Sequence, residues 1–179
     1  MDAIIHVHTF KEGFLSKLAH DLLLNLRRFE IELEGDQVRA VGQSESLEVL
    51  GVAQDGALKE TLSDGEKQTI AQNMGDQVLQ TKRFPQVRFT GSVRRGERAL
   101  SVHGELELCG VSQPLEVAFT REGDRLRGSF ELVPSRFGIK PFRALAGALR
   151  VQDRVRITVD ARAPEEDAQP AKLRWEPRS

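Results

Sequence analysis

The chain has 179 residues and a net charge of -1, with 26 basic and 27 acidic residues interspersed along it. This length suits one domain of ordinary size, and the charge balance argues against a nucleic acid or an anionic membrane surface as a partner. The single cysteine, Cys109, excludes an intramolecular disulfide and a thiolate zinc cage. Because no activating charge is evident beside it, we expect a structural thiol at the edge of a turn.

The first residues, MDAIIHVHTFKEGF, contain no basic segment followed by a long apolar run, so we predict no secretory signal. The sequence also lacks the ~18 consecutive apolar residues that a membrane-spanning helix needs. The expectation is therefore a soluble cytoplasmic protein without a transmembrane segment.

Short segments of alternating apolar and polar residues begin the chain, which is the pattern of half-buried strands. Residues 3–10 predict a first strand, and residues 11–20 predict one or two helical turns. Further strands are predicted to begin near Val38 and Leu47.

The apolar residues change parity within the second predicted strand. They occupy every second position over residues 22–26 and again over residues 29–33, but in opposite parity. Since residues of one parity share a face of a strand, the switch predicts a bulge or bend at Arg27–Arg28.

One amphipathic helix is predicted over about residues 63–80. Ser63 and Glu66 have the spacing of a capping box, which satisfies free N–H groups at the first turn. Ile70, Met74 and Val78 form a single apolar stripe at helical spacing.

The stretch from Val87 to Thr120 is the longest run of alternation in the chain. Two turn segments divide it into three, so it predicts an antiparallel meander with one apolar and one polar face. Residues 126–132 and 155–161 predict two more strands, joined by a looped or partly helical crossing over residues 133–149. The segment 164–179 is polar and contains proline, so it predicts a disordered tail.

About eight short strands and one helix predict a mainly β protein with a single closed antiparallel barrel, since an open sheet of this size would leave exposed edges. The apolar face of such a barrel either packs into a solid core or lines a cavity. Three glycines at inward positions, Gly91, Gly104 and Gly128, remove side-chain volume there and favour a cavity.

The sequence TKRFPQVRFTGSV, followed by SVHGELELCGVSQPLEVAFT, resembles the paired signature of YceI-like proteins. A later SRFGIKPF resembles the family's loop element, VQDRVRITVDA resembles its closing strand, and His20 before a strand resembles its opening. The segment 49–63 departs from the family's usual sequence motif. Many family members are periplasmic and carry a secretory signal, which is not seen here. The matching residues of the paired signature are Phe84, Pro85, Val87, Phe89, Gly104, Leu106, Leu108, Gly110, Val111, Pro114, Leu115, Val117 and Phe119.

The resemblance implies a lipocalin-like barrel domain over residues 1–163 whose elongated cavity holds an isoprenoid or quinone-like lipid. Our first hypothesis is binding, sequestration or transport of this small apolar or amphipathic lipid, without chemistry and with no cofactor or metal. Candidates for contact with the lipid head group are His20, Arg136 and Arg143. The predicted ligand-binding residues are Ile70, Met74, Val78, Val87, Phe89, Leu106, Leu108, Val117, Phe119, Phe130, Phe137 and Phe142.

Two alternatives stay open at this point. A filled barrel without a cavity would favour a ligand-free interaction or stress-response module. A metal- or haem-dependent enzyme would need His6, His8 and a third ligand such as Glu12, His20 or His103 to converge. The sequence carries no nucleophile elbow, phosphate loop or zinc-protease motif, which argues against an enzyme. It does not fix the oligomeric state, and a homodimer is one arrangement that we consider.

Overall fold

A computed structural model of the protein describes residues 3–12, 21–54, 57–96, 99–144, 149–163 and 171–174. The predicted helical turns near residues 13–20, the candidate His20 and most of the predicted tail lie outside these residues. The strands are Ala3–Glu12 (β1), Leu22–Leu26 (β2), Phe29–Glu34 (β3), Gln37–Gln43 (β4), Leu47–Gln54 (β5), Ala57–Lys59 (β6), Gln86–Arg95 (β7), Ala99–Leu108 (β8), Val111–Glu122 (β9), Arg125–Leu132 (β10), Arg143–Ala144 (β11), Leu149–Arg162 (β12) and Ala171–Arg174 (β13).

Antiparallel pairing closes these strands into a ring of eight positions. The ring runs through β1, β2–β3, β4, β7, β8, β9, β10 and β12, and β12 pairs with β1 again. The strand order is an open path from β13 to β6 only when β2 and β3 are counted separately. They are two halves of one bent strand, because the β2 half pairs with β1 and the β3 half pairs with β4. The predicted mainly β, lipocalin-like barrel is confirmed.

The bend lies where the parity switch predicted it, at Arg27–Arg28 between β2 and β3. The backbone N–H of Arg27 donates to the carbonyl of Ser46 (3.0 Å), and the N–H of Gln43 donates to the carbonyl of Arg28 (2.8 Å). Hydrogen bonding therefore continues across the bend. The alternate leucines of the first half and the alternate apolar residues of the second half face the interior despite their opposite parity; they are Leu22, Leu24, Leu26, Phe29, Ile31 and Leu33.

The one α-helix of the described residues, α1, covers Asp64–Asn73 and continues as a π-helical turn over Met74–Val78. Its capping box forms as predicted: the N–H of Glu66 donates to Ser63 Oγ, and the N–H of Ser63 donates to Glu66 Oε2 (2.8 Å). The predicted stripe faces the barrel interior. Asn73, which the helical pattern places on the polar face, also faces inward, where the helix changes to the π-helical turn.

The two ends of the barrel differ in construction. At one end, which we call the hairpin end, strands turn back through Gly35–Asp36 and Gly123–Asp124, where both glycines have positive φ. At the other end, which we call the helix end, α1 and the segment 134–142 lie against the strands. A 3-10 turn over Pro134–Phe137 begins that segment, consistent with the predicted looped or partly helical crossing.

The predicted disorder of the tail is wrong for four residues. Ala171–Arg174 forms β13, which pairs with β3. The bend explains why a partner is needed there: after Arg27–Arg28 the chain diverges from β1, so β3 would have an open edge on that side.

Candidate functional site

A cavity of about 1440 Å³ occupies the interior of the barrel. Protein interiors normally contain few voids larger than a water molecule, and ordinary small-molecule pockets reach roughly 1,000 Å³. The inward apolar residues therefore line a cavity rather than form a solid core. This is the observation that separates the lipid-binding hypothesis from the ligand-free one.

The predicted ligand-binding residues, with one exception, line this cavity. Three come from the helix and its π-helical turn, and the others come from the meander, from β10 and from the loop before β11. The residues that line it are Ile70, Met74, Val78, Val87, Phe89, Leu106, Leu108, Val117, Phe119, Phe130 and Phe142. Their contact with a ligand stays a prediction.

Phe137 is the exception, because it packs into a solid cluster at the helix end. It is 4% exposed and lies with Leu106 (7%) and Ile139 (6%). Val78 and Leu79 of the helical segment pack against this cluster. A packed cluster thus occupies part of the helix end, and the cavity lies beside it and extends toward the hairpin end.

The inward-facing glycines leave room for aromatic rings that lie along the cavity wall. A Cβ atom on Gly128 would lie 2.7 Å from two ring atoms of Phe119, and one on Gly91 would lie 2.8 Å from Cζ of Phe89. Gly91 and Gly104 face each other on β7 and β8 beneath that same ring. The volume that these glycines leave is therefore taken partly by phenylalanine rings that lie along the wall.

The charged residues that line the cavity were not predicted from the sequence. Among the described lining residues every charged one is basic, and they are Lys11, Arg88, Arg95, Arg121, Lys140, Arg150 and Arg162. The parity pattern contains a signal for two of them. Arg95 is the next inward position after Val93 on β7, and Arg121 is the next after Phe119 on β9. Following the alternation one step beyond the last apolar residue would have found both.

The predicted head-group residues lie elsewhere. Arg136 and Arg143 are both exposed and do not line the cavity, although Arg136 accepts a hydrogen bond from Gln113 Nε2 at its backbone carbonyl (3.2 Å). His20 is outside the described residues. A role for these three residues stays a prediction without support from their placement.

A family model for the YceI-like domain matches residues 24–163, which is well over half of the chain. The chain belongs to the YceI-like family. No curated protein matches it.

Solved structures with the same fold include a YceI protein. BcnA of Burkholderia cenocepacia superimposes with a TM-score of 0.60 at 14% identity, covering 88% of this chain and 94% of that one. A polyisoprenoid-binding domain from Saccharophagus degradans gives 0.57 at 11% identity, with 90% and 94% covered. The YceI protein of Campylobacter jejuni gives 0.50 at 14% identity, with 79% and 85% covered. Identities this low establish the YceI-like fold alone.

The outer face of this YceI-like barrel carries the histidines that were considered as metal ligands. His6 and His8 lie on β1 with ring centroids 6.5 Å apart. Burial lowers the pKa of both imidazoles; His8 lowers that of His6 further, and Arg156 lowers that of His8. Within the described residues, no group of three or more histidine, cysteine or acidic side chains is placed to hold a metal ion.

A second constellation on the outer face joins a serine, a histidine and a glutamate. Ser101 Oγ lies 2.7 Å from His103 Nε2, and His103 Nδ1 lies 3.5 Å from Glu116 Oε2. The Glu116 side chain is 70% exposed, so it holds the imidazole only loosely. Backbone N–H groups of β8 are directed along the sheet into its ladders, where they cannot stabilise an oxyanion above Ser101. We therefore assign this group no acyl-transfer chemistry.

The single cysteine has a structural environment. Cys109 lies in the turn between β8 and β9, where its thiol donates to the carbonyl of Leu79 (3.5 Å) and burial raises its pKa. This agrees with the predicted structural thiol.

Of the helices in the described part of the chain, none has the length and apolar character required to cross a membrane.

Proposed function

We propose that the chain binds an amphipathic lipid with a long apolar tail, isoprenoid or quinone-like, inside the barrel and releases it chemically unchanged. The observation that carries the proposal is the apolar cavity of about 1440 Å³. Family membership supports it, because a structural relative is described as a polyisoprenoid-binding domain.

Burial of the tail accounts for affinity without a catalytic site. Each buried methylene contributes ~0.8 kcal/mol, so ten contribute on the order of 8 kcal/mol. That is roughly the binding free energy of a micromolar complex, before the cost of association is subtracted. Polar contacts would then set the orientation of the ligand and its specificity.

Titration of delipidated protein with geranylgeraniol and with a short-chain ubiquinone tests the proposal. A matched pair of variants locates the binding. Ala40 lines the cavity on β4, whereas Ala118 is exposed on the outer face of β9. We expect Ala40→Phe to weaken binding about tenfold by occupying tail volume, and Ala118→Phe to leave it within about twofold.

Native mass spectrometry of protein purified without detergent provides the second measurement. We expect a bound lipid that denaturation releases. Failure of both probes to bind, together with no released lipid, would overturn the proposal. If Ala40→Phe, Ala118→Phe and the unmodified protein all bind the probe equally, the probe binds outside the cavity.

A further inference from the structure

The charged residues around the cavity have one sign. The chain as a whole is nearly neutral, with 26 basic and 27 acidic residues. Nevertheless, every charged residue among the described lining residues is a lysine or an arginine. Composition therefore does not account for this distribution, and a cavity with basic residues at its ends favours an anionic group on its ligand.

Two arginines at the hairpin end occupy inward positions on strands of one wall. Arg95 pairs with Leu100 of β8, and Leu100 pairs with Phe119 of β9, two residues before Arg121. Strand spacing puts the two arginine backbones about 10 Å apart across the sheet and about 7 Å apart along it. Both side chains line the cavity, so two guanidinium groups border the same end of it.

The ion-pair partner of Arg95 is readily exchanged. Arg95 Nη1 lies 3.5 Å from Asp36 Oδ1, with side chains 52% and 69% exposed, and Arg95 Nη2 donates to the carbonyl of Gly35 (3.2 Å). Arg121 Nε donates to the carbonyl of Gly123 (3.2 Å). Exposed ion pairs of this kind contribute little stability, so an anion that enters from the cavity competes with Asp36 at small cost.

We propose that the cavity ligand carries an acidic head group, a carboxylate or a phosphate, which Arg95 and Arg121 bind at the hairpin end. This inference rests on the proposed function and adds the class of ligand and its orientation. Guanidinium groups form two parallel hydrogen bonds to carboxylate and phosphate oxygens, which lysine cannot do. The tail then extends toward the helix end, where Val78, Leu79 and Ile139 provide apolar surroundings, although basic residues such as Lys11 and Lys140 also line the cavity there.

Three ligands with the same isoprenoid chain test the head group: geranylgeranyl phosphate, geranylgeranoic acid and geranylgeraniol. Calorimetric titration of the delipidated protein should show that at least one of the two acids binds about tenfold to a hundredfold more tightly than the alcohol, as expected for charge-assisted hydrogen bonds. The acid with the larger gain distinguishes a phosphate from a carboxylate site.

Variants test the location. In Arg95→Gln/Arg121→Gln the preference for the acid should fall to within about threefold, while the affinity for geranylgeraniol stays within about twofold and shows that the barrel is folded. Arg39→Gln/Arg94→Gln is the matched control, since it removes two exposed arginines from the outer positions of β4 and β7. It should retain the full preference.

The outcomes separate this inference from the proposed function. Equal binding of acid and alcohol overturns the acidic head group and leaves lipid binding intact. Binding of none of the three ligands overturns lipid binding itself. A preference for the acid that survives Arg95→Gln/Arg121→Gln, but is lost in Lys11→Gln/Lys140→Gln at the helix end, overturns the assignment to the hairpin end.

Discussion

The helix end and the hairpin end of the barrel are built from the same alternating strands, yet a folded-back segment packs over one, whereas tight hairpins form the other; basic residues line the cavity near both ends. At the helix end, Phe137 and Ile139 insert from the segment after β10 and pack on Leu106. At the hairpin end the strands turn back directly, and the last inward positions of β7 and β9 are Arg95 and Arg121. The alternation of each strand decides which side faces inward. The last inward residue and the following segment decide whether an end is sealed.

This difference gives the cavity a direction. A lipid tail is stabilised wherever apolar surface leaves water, and the helix end supplies that surface on several sides. A polar group buried against the packed cluster would lose hydration, although Lys11, Lys140 and Arg150 line the cavity elsewhere near this end. At the hairpin end, guanidinium groups and water are both within reach. A head group that binds Arg95 and Arg121 would therefore orient the ligand along the barrel axis, although the chain as a whole carries a net charge of only -1.

The largest expected effect distinguishes the packed end from the hollow one. Phe137→Ala removes a buried ring from the packed cluster and should cost about 3–5 kcal/mol of the unfolding free energy, because transfer and cavity terms add. Phe130→Ala removes a half-buried ring that already faces the cavity, so we expect a loss of only about 1–2 kcal/mol. Urea unfolding of the delipidated proteins measures both.

The two phenylalanine variants should also separate by ligand binding. Phe130→Ala should weaken binding of geranylgeraniol, whereas folded Phe137→Ala, or Phe137→Leu if the alanine variant does not fold, should bind it normally. Equal losses of stability in Phe137→Ala and Phe130→Ala would mean that the two regions do not differ in packing.

Much of this fold could be predicted from the sequence, because its elements are local patterns. The parity switch at Arg27–Arg28 places the bend that closes the ring, and the Ser63–Glu66 spacing places the start of α1. Both depend on residues that are neighbours in the chain. The family resemblance added the prediction that the barrel encloses an elongated cavity.

What could not be predicted depends on contacts between distant segments. Whether Phe137 lines the cavity or packs beside it depends on how residues 134–142 fold back onto β8 and β9, and no periodicity encodes that. The pairing of β13 with β3 likewise depends on an edge that exists only after the bend has formed. Arg95 and Arg121 were missed because the alternation was followed only through apolar residues.

A smaller effect is expected from two glycines in the wall of the hollow region. A Cβ atom on Gly104 would overlap the carbonyl of Thr90 and lie 2.6 Å from Cα of Gly91, so the sheet backbone itself must move. The three atoms nearest to one on Gly128 all belong to the ring of Phe119, which can swing into the cavity. Gly104→Ala should therefore cost about 1–3 kcal/mol of stability, and Gly128→Ala less than about 1 kcal/mol.

Thermal and urea unfolding of the two glycine variants provide the measurement. In Gly128→Ala the displaced ring of Phe119 should also reduce the affinity for geranylgeraniol, because it occupies cavity volume that the ligand would otherwise fill. A cost for Gly128→Ala as large as that for Gly104→Ala would contradict the idea that Phe119 has empty space to enter.

The smallest expected effect tests whether α1, at the helix end, can open locally while the hairpin end stays folded. Ser63→Ala removes the hydroxyl that accepts from the N–H of Glu66 and should destabilise α1 by about 1 kcal/mol. In hydrogen exchange, the amides of α1 should then exchange roughly fivefold faster, because a local opening becomes easier by that free energy. Amides of the β9–β10 hairpin should keep their rates.

Thr69→Ala is the matched control for this prediction, since its hydroxyl donates to the carbonyl of Gly65 (2.9 Å) within the same helix and caps nothing. Alanine has the higher helix propensity, so exchange in α1 should stay equal or become slower. If Ser63→Ala accelerates exchange equally in α1 and in the β9–β10 hairpin, the helix and the hairpin open as one cooperative unit. The two ends would then differ in composition but not in dynamics.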